Sequence, residues 1–334
     1  MAPTLSQQRQ IDALLAQYTP RIRDAFYAAI YGARANVNAA DLIAALQAGD
    51  VERAVQLLRI DQGVLFPLDD AVRSAFIAGG QSVVAPKGLS GAFSFAGRHL
   101  RAERIAQAIG SELIQGIQED TLAMARLVIV TGLQEGFSPQ KVQRDLTGTL
   151  NRLTGRREGG FLGLTAQQAD SIISGRAKLA SGDPVLMREY LGLKQRSKLF
   201  DPQIKKAIKE GRAITGADLD KIIAAHKNKA LKYRGEMIAK NETFSAQAAG
   251  RDEAYRQMLE RPDVAAVTKR WQHGLSAIPR LDHLRMDGVV LDFDQKFTMD
   301  DGVQMAYPHD PIGGPKHAIS CRCVCIYRVR LIRD

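Results

Sequence analysis

No run of 18 or more apolar residues occurs in this 334-residue chain, which excludes a helix built to cross a membrane. The first thirty residues place Gln7, Gln8, Arg9, Gln10 and Asp12 ahead of any apolar run. The basic start, apolar middle and small-residue cleavage site of a secretory signal are therefore missing, and a protein made and folded in a cytosol without a membrane anchor is expected. Cysteine is scarce: three residues are too few for a disulfide scaffold. Tryptophan occurs once, at Trp271, and no Gly-x-x-x-x-Gly-Lys-Ser/Thr pattern is present, which excludes a phosphate-cradling loop of that type. Neither helix-turn-helix nor zinc-finger spacing stands out.

What remains is material for a sizeable core: 45% hydrophobic against 25% charged residues, in a length that suits about two domains of ~100–200 residues each. The net charge of +10 invites a polyanion, but it is unevenly spread. Residues 1–100 hold nine bases and eight acids, whereas thirteen bases and five acids lie between Leu193 and Lys240. Lys194, Arg196, Lys198, Lys205, Lys206, Lys209, Lys227, Lys229, Lys232 and Arg234 are thus the candidate phosphate contacts, suited to sequence-independent, salt-sensitive binding of duplex DNA.

Helical periodicity runs to about residue 265. Asn38 with Asp41, and Asp50, mark helix starts; Ser138 before Pro139 offers an N-cap and a first-turn proline; Thr165 with Gln168 forms a capping box, and Thr215 with Asp218 resembles one. Ile105, Ile109, Leu113 and Ile117 make an apolar stripe on a long helix from about Leu100 to Thr131. Two glycine-rich stretches interrupt the pattern. Residues 78–97 read as a loop or mobile hairpin, and residues 154–163 as an exposed linker and domain seam. Beyond about Val264 short alternating runs take over, with strands expected at residues 288–293 and 324–332. The expected fold is mainly α, an elongated helical N-terminal body with a small C-terminal α+β module. Its parts would be a helical region for protein contacts (1–160), a basic helical region (161–262) and the α+β module (263–334).

That module collects the chemistry. Four of the six histidines (His273, His283, His309, His317) and all three cysteines (Cys321, Cys323, Cys325) fall in the last 62 residues. Thiolates with imidazoles are zinc-type ligands, and His283 with Cys321 and Cys323 is the candidate set. The single residue between Cys321 and Cys323 differs from the two of a zinc knuckle. The three cysteines equally suit the buried face of a terminal strand, packed as small hydrophobes. Asp282–His283 could open a metal-dependent nuclease loop, but no matching downstream Asn/His helix follows.

The residues from Lys269 to Cys323 form a recognisable series: Trp271 after Lys269 and Arg270, then Arg280, Asp282 and His283, then Asp287 and Gly288, Phe297, Pro308, Asp310 and Pro311, and finally Cys321, Arg322 and Cys323. This series resembles the C-terminal module of phage head morphogenesis proteins, the phage Mu F-like minor head proteins. The preceding helix through Asn241, Glu242, Thr243, Gly250 and Arg251 agrees, and residues 41–80 are similar to the helical N-terminal part of many such proteins. Ser320 departs from the pattern, standing where many relatives have asparagine. The resemblance implies a non-enzymatic minor virion component, made in a bacterial cytoplasm and built into the phage head at the portal vertex. Portal protein, major capsid or scaffold protein and packaged DNA are the implied partners, with a role in DNA packaging or ejection. The rival expectation is a metal-dependent nuclease or toxin-like effector using the C-terminal His/Cys cluster.

Overall fold

The computed structural model describes residues 3–274 and 279–332. The chain is mainly α, with its strands in small sheets near the C-terminus and one hairpin before residue 160. In chain order the helices are α1 (Pro3–Asn36), α2 (Ala39–Gln47), α3 (Val51–Gln56), α4 (Gln62–Gln81), α5 (Leu100–Gln134) and α6 (Pro139–Thr147). The hairpin β1 (Thr149–Asn151) and β2 (Arg156–Glu158) follows, then α7 (Ala166–Ala180), α8 (Pro184–Gly192), α9 (Asp201–Lys209) and α10 (Gly216–Leu259). The C-terminal segment comprises β3 (Val264–Gln272), α11 (Leu281–Met286), β4 (Val290–Asp292), β5 (Phe297–Thr298), β6 (Gln304–Met305), α12 (Gly314–Ala318) and β7 (Val324–Leu331).

Local chemistry accounts for several boundaries. Asn38, Asp50 and Ser138 each accept backbone N–H groups at the starts of α2, α3 and α6, and Thr165 with Gln168 closes a reciprocal capping box on α7. The chain divides into two compact units. A central unit contains Phe26–Phe66 and Leu113–Glu236, and a terminal unit contains Met1–Ala25, Pro67–Glu112 and Met237–Asp334. The sequence-based division at residues 160 and 262 follows chain order, and these units do not.

In the central unit, residues 154–163 are not the exposed linker expected from their composition. Residues 156–158 form β2, and Phe161, Leu162 and Leu164 are buried. The reason lies far away in sequence. Arg34 on α1 is fully buried and donates from Nε and Nη2 to the Leu162 carbonyl (3.0 and 2.7 Å), from Nη2 to Gly160 (2.8 Å) and from Nη1 to Arg157 (3.1 Å). A buried guanidinium must find such acceptors, and here it ties the segment down.

In the terminal unit, the glycine-rich stretch is a loop only from residue 82 onward. Gly79 and Gly80 lie inside α4. A Cβ at Gly79 would meet the backbone of Gln247 on α10, and one at Gly250 would fall on the Phe76 carbonyl oxygen. These glycines are a notch that lets α4 and α10 approach backbone to backbone. The three-stranded antiparallel sheet has the order β4–β3–β7, with Trp271 opposite Cys325. Gly288, at φ +81°, bends the chain so that its N–H reaches the Trp271 carbonyl at 2.9 Å.

Gly250→Ala is expected to destabilise the protein by about 1–3 kcal/mol, because the neighbour it meets is backbone and must move. Urea denaturation checks this, and an unchanged midpoint would show that the two helices can spread at no cost.

Candidate metal centre

α11 and α12 are short helices that each present a histidine. On α11, Asp282 turns back to accept the His283 backbone N–H at 2.9 Å, and the His283 ring is 2% exposed. Its Nδ1 faces two sulfurs, Cys321 Sγ at 3.4 Å and Cys323 Sγ at 3.5 Å. Its Nε2 faces Nδ1 of His317 at 3.2 Å, and Nε2 of His317 lies 3.1 Å from Asp301 Oδ2. Trp271 packs its edge against the His283 ring on one side and against Phe297 on the other, with centroids at 5.4 and 5.2 Å.

His283, Cys321 and Cys323 are all buried and bring one nitrogen and two sulfurs together, a group that can hold a metal ion. A second group, Asp282, His283 and His317, shares the same imidazole. Electrostatics favour the thiol side. The Cys323 thiol is pushed down by the hydrogen bond from Cys321, with further help from His283 and the backbone at Gly274. Cys321 is pushed up by the same hydrogen bond and by burial. Cys323 is therefore the readier of the two to lose its proton. The Cys323 backbone N–H also reaches Cys321 Sγ at 3.3 Å. Cys325 takes no part. It lies in β7, fully enclosed, and burial pushes its thiol up to about 12.

The other residues of the sequence series frame this centre. Arg280 donates to the Ile319 carbonyl at 2.6 Å, fixing the segment before Cys321. Asp287 accepts the His273 N–H at 2.8 Å. Asp310 accepts from Ala306 and Ile312 N–H at 2.7 and 3.1 Å and starts a turn whose first residue is Pro311. Phe297 is buried on β5, and Pro308 lies beside Cys323 at the wall of a small cavity. Arg322 is exposed and lines a groove with Lys240, His273 and Gln272, while its carbonyl lies so close to Gly274 that no side chain fits there. Ser320 sits at φ +58°, a region that asparagine tolerates better than serine.

Sequence reasoning did not assign His317 and Asp301, the groups behind His283. The signal was present as His317 three residues short of adjacency to Cys321, on a helix too brief to show periodicity. It also missed a charged core in the same unit. Asp252 accepts the Tyr327 hydroxyl at 2.9 Å, and Lys269, 2% exposed, lies over the rings of Phe293 and Phe297.

The basic residues divide into two classes. Lys194, Lys198, Lys205, Lys206, Lys209, Lys229 and Lys232 are exposed. Arg196, Lys227 and Arg234 are not phosphate contacts. Arg196 is paired with Asp201 and bonded to the Leu193 carbonyl. Lys227 is buried against Asp145 (2.7 Å) and the Phe161 ring, at the wall of a cavity of about 280 Å3. Arg234 is 7% exposed and bonds Asp120 and the Gly163 carbonyl. Counting charge along the sequence does not reveal such pairing.

Comparison with known proteins adds little. The uncharacterized protein YqbB of Bacillus subtilis (strain 168) is 29% identical over 96 residues, covering 28% of this chain and 30% of that relative. No family model matches the chain, and no solved structure matches it.

Asp252 sets a pH dependence. Burial raises it from 3.8 to about 6, so its ionisation opposes folding: stability is fullest below about pH 4 and is lost as pH rises through about 6. Asp252→Asn should therefore be more stable than the parent by about 3 kcal/mol above pH 7, with the gap closing towards pH 4. Denaturation midpoints across that range check the sign.

Proposed function

We propose that this chain is a non-enzymatic minor head protein of a phage or prophage, acting in head morphogenesis at the portal vertex, and that its C-terminal module is held by zinc. The observation that supports the reading is convergence: Trp271, Cys321 and Cys323 meet the buried imidazole of His283, Phe297 packs behind Trp271, and Arg280 holds the segment that leads to Cys321, so residues spread over the Mu F-like series come together at one place.

The donor set suits zinc. Zn–S of about 2.3 Å and Zn–N of about 2.0–2.1 Å at a tetrahedral angle place nitrogen and sulfur about 3.5 Å apart, the spacing found between His283 Nδ1 and both sulfurs. Two thiolates and an imidazole are softer than the carboxylate-containing alternative, which favours zinc over magnesium or calcium. Zinc here would join residues 283, 321 and 323 across a loop, a structural task. Burial of all three ligands supports that role over the nuclease or effector reading, in which the metal must meet a substrate. The exposed lysines between Lys194 and Lys232 support non-specific contact with packaged duplex DNA in the virion. Portal and capsid or scaffold proteins are the protein partners this reading requires.

Protein purified from zinc-supplemented medium is expected to carry close to one zinc per chain, lost in Cys323→Ser. Free zinc at about a thousand times its Kd should add about 4 kcal/mol of stability. A metal-free Cys321→Ser protein with unchanged stability would return the cysteines to simple packing. In phage particles the protein should co-purify with the portal at low, fixed copy number, and its absence from particles would sink the head assignment. Reversing charge at Lys205, Lys206 and Lys209 should weaken DNA binding and flatten its salt dependence, with a slope change of about one per phosphate contact removed.

A further inference from the structure

The outer edge of β7 is an unfinished sheet edge with a slot built beside it. The strand order leaves β7 bonded on one side only, to β3. At Tyr327 the open side is filled by a side chain: the Gln7 amide donates to the Tyr327 carbonyl at 2.8 Å and accepts its N–H at 3.1 Å, as a neighbouring strand would. That pairing fixes which backbone groups point outward. Residues 325, 327, 329 and 331 face the edge, while 324, 326, 328 and 330 face β3. Val329 thus turns its N–H and C=O to the open side, where no group of the described residues is bonded to them.

A cavity of about 670 Å3 runs along this edge, with Tyr327, Arg328 and Val329 on one wall and Val84 to Lys87 on the other. Gln7 closes one end and the approach of Gly88 to Leu331 the other. From residue 327 to 331 is about 13 Å, and at strand spacings of ~3.3 × 4.8 × 10 Å per residue the volume holds about four residues of extended chain. The far wall is anchored: Ser90 bonds Asp263 through its N–H (2.8 Å) and hydroxyl (2.6 Å), and Asp263 accepts the Ile332 N–H through its carbonyl. Arg328 and Lys87 line the slot and Arg330 follows two residues further along the same strand, all three exposed and none in an ion pair among the described residues.

We propose that this slot is a docking site for an extended, acidic peptide segment of a partner protein, which adds to β7 as a further strand. The backbone of Val329 supplies the main-chain bonds, the slot's length selects a short segment, and the three cations select negative side chains. This goes beyond the head assignment and does not depend on it.

Fluorescence anisotropy of the full-length protein with a labelled hexapeptide of alternating valine and glutamate tests it. Binding is expected, and of two versions N-methylated on odd or on even residues, one should bind within about twofold of the parent and the other at least about tenfold more weakly, since only one alternation faces β7. Val329→Pro, which removes an N–H that the β3 ladder does not use, should weaken binding about tenfold with an unchanged circular dichroism spectrum. Arg328→Glu with Arg330→Glu should transfer the preference to a valine–lysine peptide. The proposal is overturned by no binding up to about 1 mM, by equal loss in the two methylated versions, or by parent protein that takes the valine–lysine peptide equally well. A dimer in sedimentation that the acidic peptide does not dissociate would also overturn it, giving the edge to a second copy.

Discussion

The imidazole of His283 has to satisfy two opposing sets of polar groups, and the C-terminal module is arranged around how it does so. On one side stand two sulfurs, on the other a second imidazole backed by carboxylates. The ring links the two sides. Asp301, held well below the usual carboxylate range by Lys316 and by His317, faces Nε2 of His317, whose Nδ1 stands 3.2 Å from His283 and 3.6 Å from Asp282 Oδ2. Nδ1 of His283 is left to the two sulfurs. A metal ion at Nδ1 would meet an imidazole oriented from behind by His317 and Asp301, the kind of backing that makes such a ring a stronger donor.

Buried cations hold the rest of the molecule in a comparable way. Arg34, Arg234 and Arg251 each lose most of their water and regain donors' partners from segments far off in sequence: Arg34 from residues 157–162, Arg234 from Gly163 and Asp120, Arg251 from Ser82 and Gln7. Leaving one of these guanidinium groups unpaired would cost more than several ordinary hydrogen bonds return, so each acts as a strong selector for one arrangement of chain. The positive charge of the protein is therefore two populations, one internal and structural, one exposed and available to partners.

This division marks the limit of what the sequence makes legible. Helix starts at Asn38, Asp50, Ser138 and Thr165 were readable because a cap is a contact within three residues. The mainly helical fold with a small C-terminal α+β module was readable from the change of period near Val264. Gly79 and Gly80 were misread because a glycine that admits a neighbouring helix has the same local signature as one that turns a loop; only Gln247 and Phe95, distant in sequence, distinguish them. Residues 154–163 looked like a linker because Arg34, which pins them, lies over 120 positions away. His283, Cys321 and Cys323 were legible as ligand types, but which nitrogen meets the sulfurs, and what stands behind the ring, depends on Asp301 and His317 arriving from two other turns.

The Cys-Arg-Cys segment shows why chemistry and fold are joined at this end of the chain. Cys321 and Cys323 lie just before β7 rather than in it, and the strand begins at the next residue. Two residues further, Cys325 sits opposite Trp271, whose ring touches His283. The strand's register on β3 and the position of the sulfurs at His283 are thus set by the same few residues: a slip of one would carry Cys325 to the other face of the sheet and draw Cys323 away from the ring. Arg280 and Gly274 close the remaining freedom, one by holding the Ile319 carbonyl, the other by admitting that of Arg322. A cation bound at His283 and the two sulfurs would then stabilise not only a loop but the alignment of β7 along its whole length, including the edge that Gln7 only partly covers.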